Sequence, residues 1–281
     1  MATNTWRRLM HDRPARIAAA VLGTAALVAF FAPWLARYDP TLQPDPVTLR
    51  LLAPSWQHWF GTDPFSRDVL SRVLHGARVS LGVAAGAMLL AVTLGAALGA
   101  LAAVFGGWVD AAVGALVDVL IAMPRLLVVI ALVATFGALS PWWLIALIGG
   151  SGWLATARIV RAEFRDHLQR DYVLAARALG ASRWRIVWQH LLPAVAPQIA
   201  VAAALALAAV IPLEAALSFV GLGIQPPLPS WGNILLDGTD YLTTAWWLVV
   251  FPLGAVTLTV GSALVLADRL RAAIAGEEHR R

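Results

Sequence analysis

The sequence of 281 residues contains neither lysine nor cysteine, and only 13% of its residues are charged. All 21 basic residues are therefore arginine. A Walker A loop needs a lysine that reaches the phosphates of ATP, and Schiff-base catalysis needs a lysine amine, so both are excluded. Without cysteine the chain forms no disulfide, no thiolate metal site and no thiol nucleophile. It therefore cannot hold ATP through a Walker lysine of its own.

Hydrophobic residues make up 60% of the sequence, and its mean hydropathy is +0.74. A soluble domain carries about 25% charged residues, so this composition indicates an integral membrane protein. The calculated pI near 10.8 would also suit a nucleic-acid-binding protein. However, the arginines flank the apolar runs, as a membrane topology requires. We therefore expect the lipid bilayer, and no nucleic acid, as a partner.

Long apolar runs predict the membrane spans. A hydrocarbon core about 30 Å thick needs roughly 20 residues at 1.5 Å each. The candidate runs are 17–35, a part of 79–109, 111–136, a short run ending near 157, 193–220 and 244–267. The segment 137–141 is expected to interrupt the helix before the fourth run. The sequence thus predicts an all-α integral membrane protein with six transmembrane helices.

The arginines predict the orientation, because short loops rich in basic residues stay on the cytoplasmic side. An N-terminus inside gives the cytoplasm most of them: Arg7, Arg8, Arg13, Arg16, Arg158, Arg161, Arg165, Arg170, Arg177, Arg183, Arg185, Arg269, Arg271, Arg280 and Arg281. The outer side then holds Arg37, Arg50, Arg67, Arg72 and Arg78. Both termini are therefore predicted to be cytoplasmic. The first run is long for a signal peptide and no A-x-A site follows it, which favours a retained span.

Two outer segments are unusual. From Ser66, a predicted N-cap, an apolar stripe follows at helical spacing, and Asp68 and Arg72 stand at i and i+4. This helix is either an interfacial element or an extension of the second span. The second segment, 221–242, reads GLGIQPPLPSWGNILLDGTDYL. Its three prolines and four glycines exclude a continuous helix and predict an ordered or re-entrant loop that docks through its apolar residues.

Three charges fall within or near apolar runs, namely Asp118, Arg125 and Glu214. An unpaired charge there costs roughly 2.5 to 3.5 kcal/mol on insertion scales, so each needs a partner or water. One interpretation is that they line a substrate pathway or gate. The other pairs Asp118 with Arg125 and leaves Glu214 near the outer headgroups. The six histidines show no ligand spacing, so we expect no metal site.

The most basic segment, 158–193, contains RDYVLAARALGASRWRIVWQHLLP. Leu168, Tyr172, Ala175 or Ala176, and Leu179 recur at helical spacing, and Gly180 predicts a helix stop. Ser182 can cap a second helix with the stripe Trp184, Val187, Trp188 and Leu191, before Pro193 begins the fifth span. Two short helices joined at a glycine would make a docking knob. The alternative is an amphipathic hairpin on anionic lipid.

The pattern A-A-x-x-x-G with a later L-P resembles the EAA loop of binding-protein-dependent ABC transporter permeases. DYVLAARALGAS, LSFVGLGIQPPLPSWG and GTDPFSRDVLSR together resemble the six-span subunit of the dipeptide, oligopeptide and nickel group, over about residues 58–270. Two positions depart from the pattern. Leu174 replaces the glutamate that names the loop, so its role is lost or taken by Asp171, and His190 stands where many members have isoleucine.

The resemblance implies a type I ABC importer permease fold in the bacterial cytoplasmic (inner) membrane. The implied partners are a second permease in a heterodimer, two cytoplasmic ATPase subunits that hold ATP-Mg, and an extracytoplasmic solute-binding protein. The chain itself would be no enzyme and bind no cofactor directly. We expect an N-terminal part at 1–76, a permease core at 77–268 with its coupling segment at 158–193, and a cytoplasmic tail at 269–281.

The resemblance assigns roles to two sets of residues. The predicted ATPase-coupling residues are Asp171, Ala175, Ala176, Gly180, Ala181 and Pro193. The loop 221–241 is expected to meet the binding protein or form the outer gate through Gly221, Pro226, Pro227, Pro229, Trp231 and Gly232. The predicted function is import of di- or oligopeptides. A self-contained secondary transporter or channel is the alternative, although no convincing repeat relates the two halves.

Overall fold

The computed structural model describes residue 9 and residues 11–45, 47–136 and 140–278. These residues are mainly helical, and the one β-pairing among them is an isolated bridge between Thr62 and Asp68. The predicted all-α class is therefore confirmed. The predicted break at 137–141 falls largely on residues 137–139, which lie outside the described part of the chain.

The elements follow one another along the chain with few long connections. The described α-helices are α1 (Arg13–Leu35), α2 (Val69–Phe105), α3 (Gly107–Ile121), α4 (Arg125–Phe136), α5 (Pro141–Gly152), α6 (Leu154–Leu168), α7 (Asp171–Ala178), α8 (Arg183–Ile186), α9 (Leu192–Phe219), α10 (Trp231–Gly238) and α11 (Trp247–Glu278). A π-helical turn, Val187–Leu191, joins α8 to α9, and a 3₁₀ turn, Thr239–Tyr241, follows α10.

Four helical segments are long and apolar enough to cross a membrane: Arg13–Leu35, Val69–Phe105, Arg183–Phe219 and Trp247–Ala275. Two helix pairs meet the same criterion only together, and each is bent at its break. The bend is 85° between α3 and α4 and 43° between α5 and α6. When each bent pair is one span, the described residues contain six spans, which is the predicted number.

The length of α2 decides whether the outer helix is an interfacial element or an extension of the second span. Its 37 residues extend about 55 Å, which exceeds the hydrocarbon thickness, so the outer helix is an extension of the second span. Its N-cap is Asp68, whose side chain accepts a hydrogen bond from the Ser71 amide at 2.8 Å. The predicted N-cap, Ser66, is wrong, because its hydroxyl instead donates to the Asp45 carbonyl at 2.6 Å.

Close contact between α2 and α6 depends on two glycines. A Cβ added to Gly95 would lie 2.5 Å from the Trp153 carbonyl oxygen, and one added to Gly99 would lie 2.5 Å from that of Ala157. Glycines four residues apart allow helix backbones to approach in this way. Helix α2 also packs against α1, α5 and α9, and is therefore the central helix of the bundle.

Buried apolar side chains form two main clusters at opposite ends of α2. The outer cluster includes Leu144, Ile148, Leu217, Ile234 and Leu248. The second lies against the C-terminal part of α2 and includes Val160, Phe164, Val173, Ile186 and Leu191. The arginine-rich coupling segment is thus held at the opposite end of the bundle from the loops 36–68 and 221–246.

Candidate functional site

The coupling segment turns sharply at Gly180. Helix α7 ends in a Schellman motif, in which the Gly180 amide donates to the Arg177 carbonyl at 2.9 Å and the Ala181 amide donates to that of Ala176 at 3.0 Å. Gly180 has a φ of +81°, which glycine adopts readily. The predicted helix stop is confirmed.

The second part of the segment differs from the prediction. Ser182 caps α8 as expected, accepting from the Arg185 amide at 3.3 Å. However, α8 continues through the π turn into α9 without a break, and the Leu192 amide donates to the Val187 carbonyl five residues earlier. Pro193 has no amide hydrogen, so a regular α-turn there would leave a backbone carbonyl without its donor. The wider π turn before Pro193 provides hydrogen bonds between residues five apart instead. Pro193 therefore does not begin the span, and the segment is a continuation of it.

The two faces of the coupling segment have different surroundings. Val173 is fully buried and Ile186 is 2% exposed, so these residues anchor the segment to the bundle. Leu179, just after α7, is 89% exposed. Tyr172 hydroxyl lies 2.8 Å from His167 Nδ1, and burial raises the pKa of Tyr172.

The exposed surface around the corner carries small, apolar and charged residues. Asp171, Leu174, Ala175 and Gly180 are exposed, and a Cβ added to Gly180 would meet nothing within 4 Å. This surface belongs to a segment that is continuous with a membrane span. A force applied to the corner would therefore act on α9.

The outer loop 221–246 folds back into the bundle, as the sequence predicted. Helix α9 ends in a second Schellman motif at Gly221, whose φ is +77°. Trp231 is 2% exposed, and its amide and indole N–H donate to Ser80 Oγ and the Val73 carbonyl, each at 3.2 Å. A Cβ on Gly232 would lie 2.4 Å from the Ala215 carbonyl oxygen. Trp231 and Gly232 thus hold the loop in place from inside the protein.

The surface of this loop comes from other residues. Of the six predicted contact positions, Gly221, Pro226 and Pro227 are exposed, whereas Pro229 is buried with Trp231 and Gly232. Ser230 and Asn233 form a capping box that starts α10. The loop therefore presents a small prolyl surface on a tightly anchored base.

Glu214 lies inside the protein. It is 1% exposed, and its Oε1 accepts a hydrogen bond from Ser218 Oγ at 2.8 Å. Ser218 Oγ in turn accepts from the Ile224 amide at 3.0 Å. Among the described residues, Oε2 has no hydrogen-bond partner. Glu214 therefore connects α9 to the outer loop through Ser218.

The predicted pair of Asp118 with Arg125 is not formed. Pro124 interrupts the helix between the two residues, and the axes of α3 and α4 differ in direction by 85°. Asp118 pairs with Arg158 of α6. Arg125 donates to the Ile148 carbonyl at 2.7 Å.

Sequence reasoning missed a partner for the α6 arginines. Asp110 of α3 accepts from Arg161 at 2.5 Å and also pairs with Arg165. These ion pairs bind α3 to α6 near the coupling segment. Asp110 was not found from sequence because it lies 51 positions away from Arg161.

The sequence also left an outer charge cluster unrecognised, formed by Asp63, Arg67, Arg72 and Asp237. Asp63 accepts from Arg67 and Arg72 at 2.5 Å each, and Asp237 accepts from the same two residues at 2.8 and 2.7 Å. Three of the four residues stand in the motif GTDPFSRDVLSR, which offered a signal. The cluster ties the start of α2 to α10. It also explains why Arg72 does not pair with Asp68, which lies 2.9 Å from His58 Nδ1 instead.

Two family models match this chain. The model described as "Binding-protein-dependent transport system inner membrane component" matches residues 79–275. The model described as "N-terminal TM domain of oligopeptide transport permease C" matches residues 2–54.

Several curated proteins are similar over nearly the whole length. The dipeptide transport system permease protein DppC of Bacillus subtilis is 36% identical over 272 residues, covering 96% of this chain and 84% of that protein. DppC of Alkalihalophilus pseudofirmus is 35% identical over 277 residues, covering 97% and 90%. The di/tripeptide transport system permease protein DppC of Pseudomonas aeruginosa is 34% identical over 277 residues, covering 96% and 90%.

A solved chain of the MetNI methionine ABC transporter, in an inward-facing conformation, has a similar fold. It aligns with a TM-score of 0.58 and 20% identity, covering 73% of this chain and 97% of that chain. This likeness concerns the fold alone. With the family match over residues 79–275 and the identities above, it leads to one conclusion: the chain belongs to the family of binding-protein-dependent transport system inner membrane components, and is a multi-pass ABC transporter permease of the inner membrane.

Proposed function

We propose that this permease subunit imports di- or oligopeptides, using ATP bound by partner subunits. The relatives named above as dipeptide or di/tripeptide permeases support the substrate class. The chain has no lysine for a Walker A loop. ATP-Mg is therefore held by two cytoplasmic ATPase subunits, and a solute-binding protein delivers the peptide on the other side.

One observation carries the proposal, namely the exposed corner at Gly180 on a segment continuous with α9. Ala175, Ala176, Gly180 and Ala181 have small side chains or none, so a cleft of an ATPase subunit can close around the corner. Asp171 is exposed in the first turn of α7 and takes the role of the motif glutamate that Leu174 replaces. Pro193 lies just beyond the π turn, where movement of the corner passes into the span.

Other surfaces suit the remaining partners. The prolyl surface at Gly221, Pro226 and Pro227, fixed by the buried part of the loop, is the proposed contact for the binding protein or the outer gate.

Large apolar side chains of α3 and α4 are exposed, including Leu116, Val119, Ile121, Leu126 and Leu127. A second permease in a heterodimer would cover such a face. The proposed core, 77–268, then lies between an N-terminal part, 1–76, and a tail, 269–281.

Co-purification tests the proposal. The chain is expressed with the second permease and the ATPase subunits from the same organism, and solubilised in mild detergent. The expected result is a stable complex that binds ATP, whereas the chain alone binds none. Recovery of the chain without ATPase subunits under every mild condition would contradict the proposal.

The alternative, a self-contained secondary transporter, would need intramembrane carboxylates arranged as an ion relay. Asp118 is paired with an exposed arginine, and Glu214 is buried against Ser218. No observation favours the alternative.

A further inference from the structure

We propose that the cytoplasmic ends of α2 and α8 form a binding site for one anionic phospholipid of the inner leaflet. This site goes beyond the proposed transport function. Its acyl chain would lie in an apolar groove along α2, and its phosphate would lie between Arg177 and Arg183. The two parts are adjacent cavities that share Val104 and Val187 as lining residues.

The apolar part is a groove of about 430 Å³. One wall is the side of α2 from Thr93 to Phe105, where alanines leave space, and the other includes Trp184 and Trp188. The α2 wall extends about 18 Å, close to half of a hydrocarbon core of about 30 Å. A single acyl chain of one leaflet fits this length.

The charged part is a second cavity of about 430 Å³, and its charged lining residues are Arg177 and Arg183. Neither side chain has an ion pair or hydrogen bond to any residue that the structure describes. The neighbouring arginines Arg158, Arg161 and Arg165 all pair with carboxylates. Arg177 and Arg183, which both line this cavity, are therefore available to an external anion there.

The combination of the two cavities favours a lipid over other occupants. Trp184 is 58% exposed and Trp188 is 64% exposed, and tryptophan concentrates at the membrane interface. Basic pockets between helices on the cytoplasmic side are suited to anionic headgroups. A free phosphate would use only the arginines, and an apolar helix of another subunit would fill the groove but leave the arginines unpaired. A phospholipid uses both.

A bound lipid would have a mechanical consequence. Arg177 lies on α7 and Arg183 on α8, so a phosphate between them would join the two sides of the Gly180 corner. Its acyl chain would hold that corner against α2. The occupied site would stiffen the segment through which the ATPase is proposed to act.

The test uses the complete transporter in detergent and measures bound lipid by native mass spectrometry. Phosphatidylglycerol is titrated against phosphatidylcholine. We expect one phosphatidylglycerol to be retained preferentially, and the double variant Arg177→Gln/Arg183→Gln to bind it about 30-fold more weakly, because each arginine contributes roughly fivefold to binding of an anionic lipid. The control Arg185→Gln/Arg271→Gln removes the same charge from residues that line neither cavity and should bind normally.

A second variant distinguishes a lipid from a free anion. Ala97→Trp fills the groove while it leaves both arginines in place, and should lose the retained lipid. Stabilisation of the wild type by inorganic phosphate to the same extent as by phosphatidylglycerol would overturn the proposal. Equal retention of both lipids would do so too. An unchanged lipid count in the arginine double variant, as expected if a second permease covers the groove, would also overturn it.

Discussion

Glu214 shows how a single residue acquires its role from its contacts. In the described structure no basic side chain pairs with its carboxyl group, and Ser218 links it to the Ile224 amide of the outer loop. A buried carboxyl without a cation is costly when ionised. We interpret Glu214 as a neutral hydrogen-bonding group that fastens the loop to α9.

Two substitutions test this interpretation. Glu214→Gln keeps the size and the acceptor of the neutral side chain, so the free energy of unfolding should change by less than about 1 kcal/mol. Glu214→Ala removes the contact and leaves a cavity, and should lower it by about 2 to 4 kcal/mol. Thermal unfolding of the solubilised protein measures both. Equal damage by Gln and Ala would contradict this interpretation, because it would show that stability depends on the ionised carboxylate.

At the scale of the helix, small residues decide which elements approach each other. Gly99 lies against the α6 backbone, whereas a Cβ on Gly82 of the same helix would meet nothing within 4 Å. Gly99→Ala should therefore destabilise the protein by about 1 to 3 kcal/mol, because backbone atoms must move. Gly82→Ala should be neutral or stabilise by up to about 1 kcal/mol through helix propensity. Thermal unfolding compares the two, and similar midpoints would contradict close α2–α6 packing.

The coupling corner allows a second test at this scale. Asparagine tolerates the left-handed conformation of Gly180, and the added side chain enters open space within the chain. Gly180→Asn should therefore fold and insert normally but lose ATPase co-purification by at least about tenfold. Gly221→Asn is the matched control, since it alters an equivalent Schellman position on the outer side. Normal ATPase binding by the Gly180 variant would contradict the proposed contact.

For the whole molecule, local signals were readable from sequence and distant partnerships were not. Apolar runs predicted the spans, and Gly180 and Ser182 predicted a helix end and a cap, because those effects act within a few residues. The structure was needed to decide whether the outer helix extends the second span and where the fifth span begins near Pro193. In both places a helix continues through residues whose sequence predicts a boundary.

Side-chain partners were the least predictable feature of the site. Asp237 is 170 positions from Arg67, and Asp118 is 40 from Arg158. Only the fold brings such residues together. Spacing along one helix suggested the Asp118–Arg125 pair, and the bend at Pro124 removed it. Burial of Trp231 likewise depended on where the loop docks, which its composition alone left open.

The central claim is that ATP held by partner subunits moves these spans and thereby imports a peptide. The most direct measurement is uptake of a labelled dipeptide by proteoliposomes that contain the complete transporter and its binding protein. We expect uptake that requires ATP on the ATPase side, is unaffected by ion gradients, and falls to background with Gly180→Asn. Uptake by the chain alone, driven by an ion gradient without ATP, would contradict the account.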